Sequence, residues 1–226
     1  MSDPIRMKKI EDIKANKGKI GTYTAFLAGD FLHFRAELTS LKKSDETPTT
    51  EKVRWNLVVI VSIFESFYKE LFAKYIDFGT PYIDNAEKLS PDKRHISTES
   101  LIGISKDTFT VGDIFAYSLK YNSLDDIRRN YQIICSCDYI EKIKTYQFKL
   151  NGSDAVETKR AQENVEEIFS KLDKVFLLRH SLIHEYPANN VTTNIDEMLD
   201  YLDSAWLLLM VTDRMFWADT GLRKPF

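Results

Sequence analysis

Cysteine, proline and glycine are all scarce in this chain of 226 residues, at two, six and eight. The two cysteines, Cys135 and Cys137 in CSC, are too few and too close for a disulfide framework. They amount at most to half of a zinc site, and no second pair completes it. They read as ordinary thiols near a helix end. So little glycine and proline argues against a sandwich or barrel with many tight turns. Long hydrophobic runs are missing too. The strongest, WNLVVIVSIF, is too short and too closely flanked by charge to span a bilayer. The opening MSDPIRMKKIEDIK lacks the apolar core of a signal peptide, so the expectation is a cytoplasmic protein with no membrane partner. The formal charge of −3 gives no global attraction to nucleic acid, so any polyanion site must be a local patch. No Gly-rich phosphate loop and no GxSxG elbow appear, which argues against conventional nucleotide hydrolysis and triad chemistry.

What is present is helical periodicity. Hydrophobic residues make up 43% and charged residues 29%, ordinary values for one large globular domain. Apolar residues at Tyr23, Phe26, Leu27, Phe31, Phe34, Leu38 and Leu41 follow the three-and-four rhythm of one helix face. A wider stripe from Val53 to Tyr75 predicts a central helix despite its β-branched VVIV. From Asp77 to about Thr108 the pattern lapses, predicting a long loop with at most a short helix. Thr110 with Asp113, and Ser123 with Asp126, have capping-box-like spacing and open helices near 111–121 and 124–134. Another helix fits Tyr139 to about Phe148. The longest helix is expected from about Ala155 to Glu185, and Asn194 with Glu197 caps the last one. No strand is predicted. The fold class is an all-α bundle, with a basic N-terminal segment over 1–21, one domain over 22–226 and an insertion at about 78–150.

The stretch LLRHSLIHEYP, Leu177 to Pro187, packs ionisable groups into the end of an apolar helix. Burying such groups is costly unless each has a partner or a task. Arg179 and His184, five residues apart, stand about 140° apart around a helix axis and can flank one cleft. His180 lies one turn before His184. The negative end of the helix dipole favours a protonated imidazole there, suited to a general acid or a phosphate contact. HSLIH lacks the glutamate of the zinc-peptidase motif HExxH, and His33 and His95 are distant in sequence, so no metal and no cofactor are expected.

Arg179, four intervening residues and His184 resemble the R-x4-6-H motif of HEPN domains, an all-α superfamily that includes many metal-independent ribonucleases. His180 fits that family's habit of a polar residue directly after the arginine. The helix WNLVVIVSIFESFYKELF, with Glu65 inside its apolar run, also looks like an HEPN core helix. The resemblance implies RNA cleavage in which the ribose 2′-hydroxyl attacks the adjacent phosphate. His184 would be the general base or acid, and Arg179 would stabilise charge on the phosphorus oxygens. His180 would contact phosphate, Glu65 would pair with Arg179 or serve another helix contact, and a homodimer would place two motifs around one RNA phosphate. The extended form R-x4-H-x-Y, ending at Tyr186, resembles toxins whose nucleotidyltransferase antitoxin adds AMP to the tyrosine; a tyrosine packed at a helix end is the plainer reading. The rival class is a non-catalytic HEPN-like module, binding RNA, a nucleotide or protein, in which Arg179 and His184 only organise a dimer or hold a ligand.

Overall fold

A computed structural model describes residues 23–43, 50–89, 110–147, 153–184 and 194–221; the side chains at 23–30, 50–54, 153–154 and 183–184 lie outside that description. The fold is all-α, and no strand occurs among the described residues. The helices are α1 (Tyr23–Lys43), α2 (Thr50–Phe78), α3 (Tyr82–Ala86) with a 3-10 turn over Glu87–Leu89, α4 (Val111–Ser118), α5 (Leu124–Cys135), α6 (Tyr139–Thr145), α7 (Ser153–Glu163), α8 (Val165–His184) and α9 (Ile195–Thr220).

Helix α2 is central because its apolar stripe is wide. Leu57, Ile60, Val61, Phe64, Phe67, Tyr68, Leu71, Phe72, Tyr75 and Ile76 are all buried. Side-chain contacts give the helix directions. On α1 and α9, Phe31 meets Trp206, Arg35 meets Asp203 and Lys42 meets Asp196, so the two run antiparallel. Tyr139 touches both Tyr68 of α2 and Phe169 of α8, while Phe176 and Arg179 reach back to Phe64 and Glu65, so α8 runs antiparallel to α2. Lys171 pairs with Asp200, as expected where α8 and α9 form a hairpin. The end of α8, the start of α9, the start of α2 and the end of α1 therefore share one end of the bundle.

The expected longest helix is instead two helices, and α2 at 29 residues is the longest among the described residues. The break falls at Asn164. Its side chain donates to the Arg160 carbonyl at 2.8 Å, the same oxygen its own backbone N–H uses at 3.2 Å. A side chain competing for the helix ladder in this way favours a break or bend over a straight helix. The stretch expected as a loop from Asp77 opens with the last residues of α2, then α3 and the 3-10 turn; 90–109 lie outside the described residues.

The described part of 78–150 is not an appendage, because it completes the core. Tyr121, Tyr131 and Tyr139 are buried, and the Tyr68 and Tyr139 hydroxyls share a hydrogen bond of 2.5 Å that continues to Thr212 of α9. Asp219 accepts from Tyr75 at 3.1 Å and Tyr146 at 3.2 Å and pairs with Lys142, tying α2, α6 and α9 together. Burial and the Asp219 charge push the Tyr82 and Tyr146 phenols up to about 12. Helix α4 approaches α2 so closely that a Cβ on Gly112 would stand 2.1 Å from the Ala73 carbonyl oxygen. The Gly112 N–H donates to Asp77 Oδ1 at 2.8 Å. Only glycine permits that contact.

Caps follow the spacing read from the sequence. Thr110 and Asp113, and Asn194 and Glu197, form reciprocal capping boxes, while Ser123 accepts from the Asp126 N–H. Asp138 caps α6 by accepting from the Glu141 N–H at 2.9 Å, a D-x-x-E signal that marks this helix start.

Candidate functional site

Arg179 stands on the last turn and a half of α8, and Glu65 on α2 faces it. Both lie at the margin of an apolar stripe: Phe64 and Phe176 are buried beside them, while the two charged side chains remain 25% and 29% exposed. Arg179 Nη2 lies 3.9 Å from Glu65 Oε1, and Lys69 Nζ lies 3.8 Å from Glu65 Oε2. These are ion-pair distances, too long for hydrogen bonds. Arg179 Nε is enclosed and has no hydrogen-bond partner among the described residues. The guanidinium is thus positioned by packing and by one carboxylate, with the side chain still partly exposed.

His180 is exposed on the same turn and makes contacts of its own. His184 is the last residue of α8, and its backbone is helical. At about 1.5 Å per residue it stands some 7.5 Å beyond Arg179 toward the start of α2. Its side chain, and both Glu185 and Tyr186, lie outside the described residues. The structure therefore brings Arg179, near the end of α8, to Glu65 at the middle of α2, with the exposed His180 on the same turn as Arg179. It gives no imidazole position for His184.

Two other features bear on the chemistry. Burial pushes the Cys135 thiol far above its ordinary value and raises that of Cys137, so both are protonated and weakly nucleophilic near neutral pH. Among the described residues no group of three or more His, Cys, Asp or Glu side chains could hold a metal ion. No described helix is long and apolar enough to cross a membrane. The Lys69–Glu65–Arg179 row was only half visible in the sequence. Glu65 and Lys69 are one turn apart on one helix, but their nearness to Arg179, 114 positions after Glu65, depends on how α2 packs against α8.

Comparison with protein-family models, curated proteins and solved structures finds no match for this chain.

Proposed function

We propose that the chain is a metal-independent endoribonuclease of the HEPN type. The observation that carries this reading is Arg179, held partly exposed near the end of α8 beside Glu65, five residues before His184. In this mechanism the Arg179 guanidinium binds the scissile phosphate and stabilises the charge that builds on its oxygens. His184 takes the proton from the ribose 2′-hydroxyl or delivers one to the leaving 5′-oxygen. The exposed His180 adds a phosphate contact. A second copy of the chain presents its own α8 end across a two-fold axis and doubles the positive charge, which lets a mildly acidic protein act on RNA. Such an activity suits a toxin or a phage-defence system.

The test is incubation of the purified protein with mixed RNA in EDTA beside the Arg179→Ala and His184→Ala variants. Cleavage by the parent and a loss of ~10²–10⁴ in rate in each variant support the reading. Cleavage that survives both substitutions at parent levels removes the motif from the mechanism. The Glu65–Arg179 pair also favours a second reading: a module in which the pair only organises the helix packing. No cleavage by a folded parent chain, with RNA binding intact, would select it.

Tyr186 carries a regulatory reading within the same proposal. A nucleotidyltransferase partner that adds AMP to its hydroxyl would bring negative charge and bulk to the phosphate site. Tyr186→Phe would then cleave RNA and escape silencing. A parent chain that is never modified by such a partner leaves Tyr186 as a helix-terminal packing residue.

A further inference from the structure

A second concave feature lies between α1, α7 and α9. Phe31 and Trp206 form its aromatic wall, and Arg35, Glu157, Arg160 and Asp203 line it with charge. The cavity, partly open to solvent, holds about 200 Å³. Arg160 precedes the start of α8 by five residues, and Arg179 follows that start by about 20 Å of helix rise, so the cavity is separate from the Arg179 end.

We propose that this cavity binds a single nucleotide, with its base against Trp206 and its phosphate at Arg160. Trp206 is half-buried and rests against Phe31, ring centroids 5.9 Å apart, which fixes the indole as a platform. A preorganised indole is a good stacking surface for any base. The volume is below the ~300–1,000 Å³ of sites that enclose drug-sized ligands. It suits one flat ring, leaving ribose and phosphate at the mouth.

The charges assign the polar ends. Arg35 is committed to Asp203 at 3.3 Å. Arg160 is exposed and makes no ion pair among the described residues, so its fork is available to a phosphate. The Glu157 and Asp203 carboxylates are acceptors only, and they match the exocyclic amino group of adenine, cytosine or guanine better than the carbonyl edge of uracil.

The mouth opens onto a shallow groove along α1, lined by Leu32, Arg35, Thr39, Ser40 and Lys43. The groove runs from the cavity toward the end of the bundle where Arg179 stands. The nucleotide can thus be free, or one residue of an RNA strand whose next phosphates follow α1; the second case rests on the ribonuclease reading, the first does not.

The experiment is calorimetric titration of the full chain with AMP, CMP and UMP, and separately with a short oligoribonucleotide. Parent, Trp206→Ala, Trp206→Phe and Arg160→Glu are compared, with folding checked by circular dichroism. The site predicts one nucleotide per chain, with AMP and CMP ahead of UMP. Trp206→Ala weakens binding ~5- to 100-fold, as loss of one stacked base does. Trp206→Phe recovers most of that loss, and Arg160→Glu weakens binding at least tenfold. Binding of the oligonucleotide alone, sensitive to Trp206 and Arg160, supports the strand form of the site. No binding of either probe by the folded parent overturns the proposal, as does binding that ignores Trp206 and Arg160. Because Arg160→Glu is on an exposed position, a folding failure of Trp206→Ala does not decide the outcome. RNA cleavage, measured separately, can fail while nucleotide binding persists, so this site and the ribonuclease reading are distinguished.

Discussion

The Glu65 carboxylate stands between two cations, Lys69 at 3.8 Å on its own helix and Arg179 at 3.9 Å on the facing one. Removal of Arg179 leaves Glu65 paired with Lys69, so the fold should tolerate the change. With both Glu65 and Arg179 still a quarter exposed, the ion pair contributes ~0–1 kcal/mol, so loss of the charge alone should lower stability by no more than that. Catalysis is the more sensitive readout. Arg179→Lys keeps the charge but loses the planar fork that contacts phosphate at two points. We expect its kcat on RNA to fall by at least an order of magnitude while the melting temperature stays near the parent's. Parent-level kcat in Arg179→Lys would reduce the role of Arg179 to simple charge.

A shared cleft requires two chains. Trp55 on α2 and Leu177 on α8 are 64% and 67% exposed, large apolar groups left in water on the two helices that carry the Glu65–Arg179 pair. Trp206 and Trp217, the aromatics of the last helix, are half-buried against the core instead. Light scattering should report a dimer at micromolar concentration, and Trp55→Asp with Leu177→Asp should shift it toward monomer. A parent chain that is monomeric throughout would rule out a two-fold active site.

The close approach of α4 to α2 gives a prediction independent of function. Gly112→Ala places a methyl group 2.1 Å from the Ala73 carbonyl oxygen, a backbone atom that cannot swing aside. Overpacking of this kind costs ~1–3 kcal/mol. The loss should appear as a lower denaturation midpoint with an unchanged slope. Parent stability in Gly112→Ala would mean that the helices stand further apart.

Helix type and helix starts were legible because they are local. Periodicity marked α1 and α2, and side-chain caps at Thr110, Ser123 and Asn194 marked three starts. The break at Asn164 was not legible, since one polar residue on an otherwise helical pattern usually points to solvent and leaves the helix intact. Nor was the role of the 111–147 helices. Tyr131 and Tyr139 join the core through partners on α2, α8 and α9 that lie far away in sequence. The candidate site divided in the same way. Arg179 and His184 formed a local motif, whereas the Arg160–Trp206 cavity joins three helices that no spacing rule connects.

Glu70 supplies a pH-dependent test of the core. Its side chain is 16% exposed, and Oε2 has no hydrogen-bond partner among the described residues. Lys74 on α2 holds Oε1 at 2.7 Å, Asp113 on α4 adds a like charge, and Asp213 on α9 lines the same crevice. Burial is the largest influence and, despite Lys74, raises the carboxyl above its ordinary 4.5. The native state therefore holds this proton more tightly than the unfolded chain does. Its contribution is fully present below pH 4.5, where both states are protonated. It is lost as pH rises from there through the elevated native value, and is flat above. Glu70→Gln keeps the shape and cannot ionise. It trades a weak ion pair for relief of a buried, unsatisfied carboxylate oxygen, so at pH 7 the variant should be about 0.5–1 kcal/mol more stable than the parent. At pH 4 the advantage should vanish. Denaturant unfolding of both proteins at pH 4.0, 5.5 and 7.0 measures the difference. A gap that stays constant across that range, or favours the parent at pH 7, would show that Lys74 rather than burial governs Glu70.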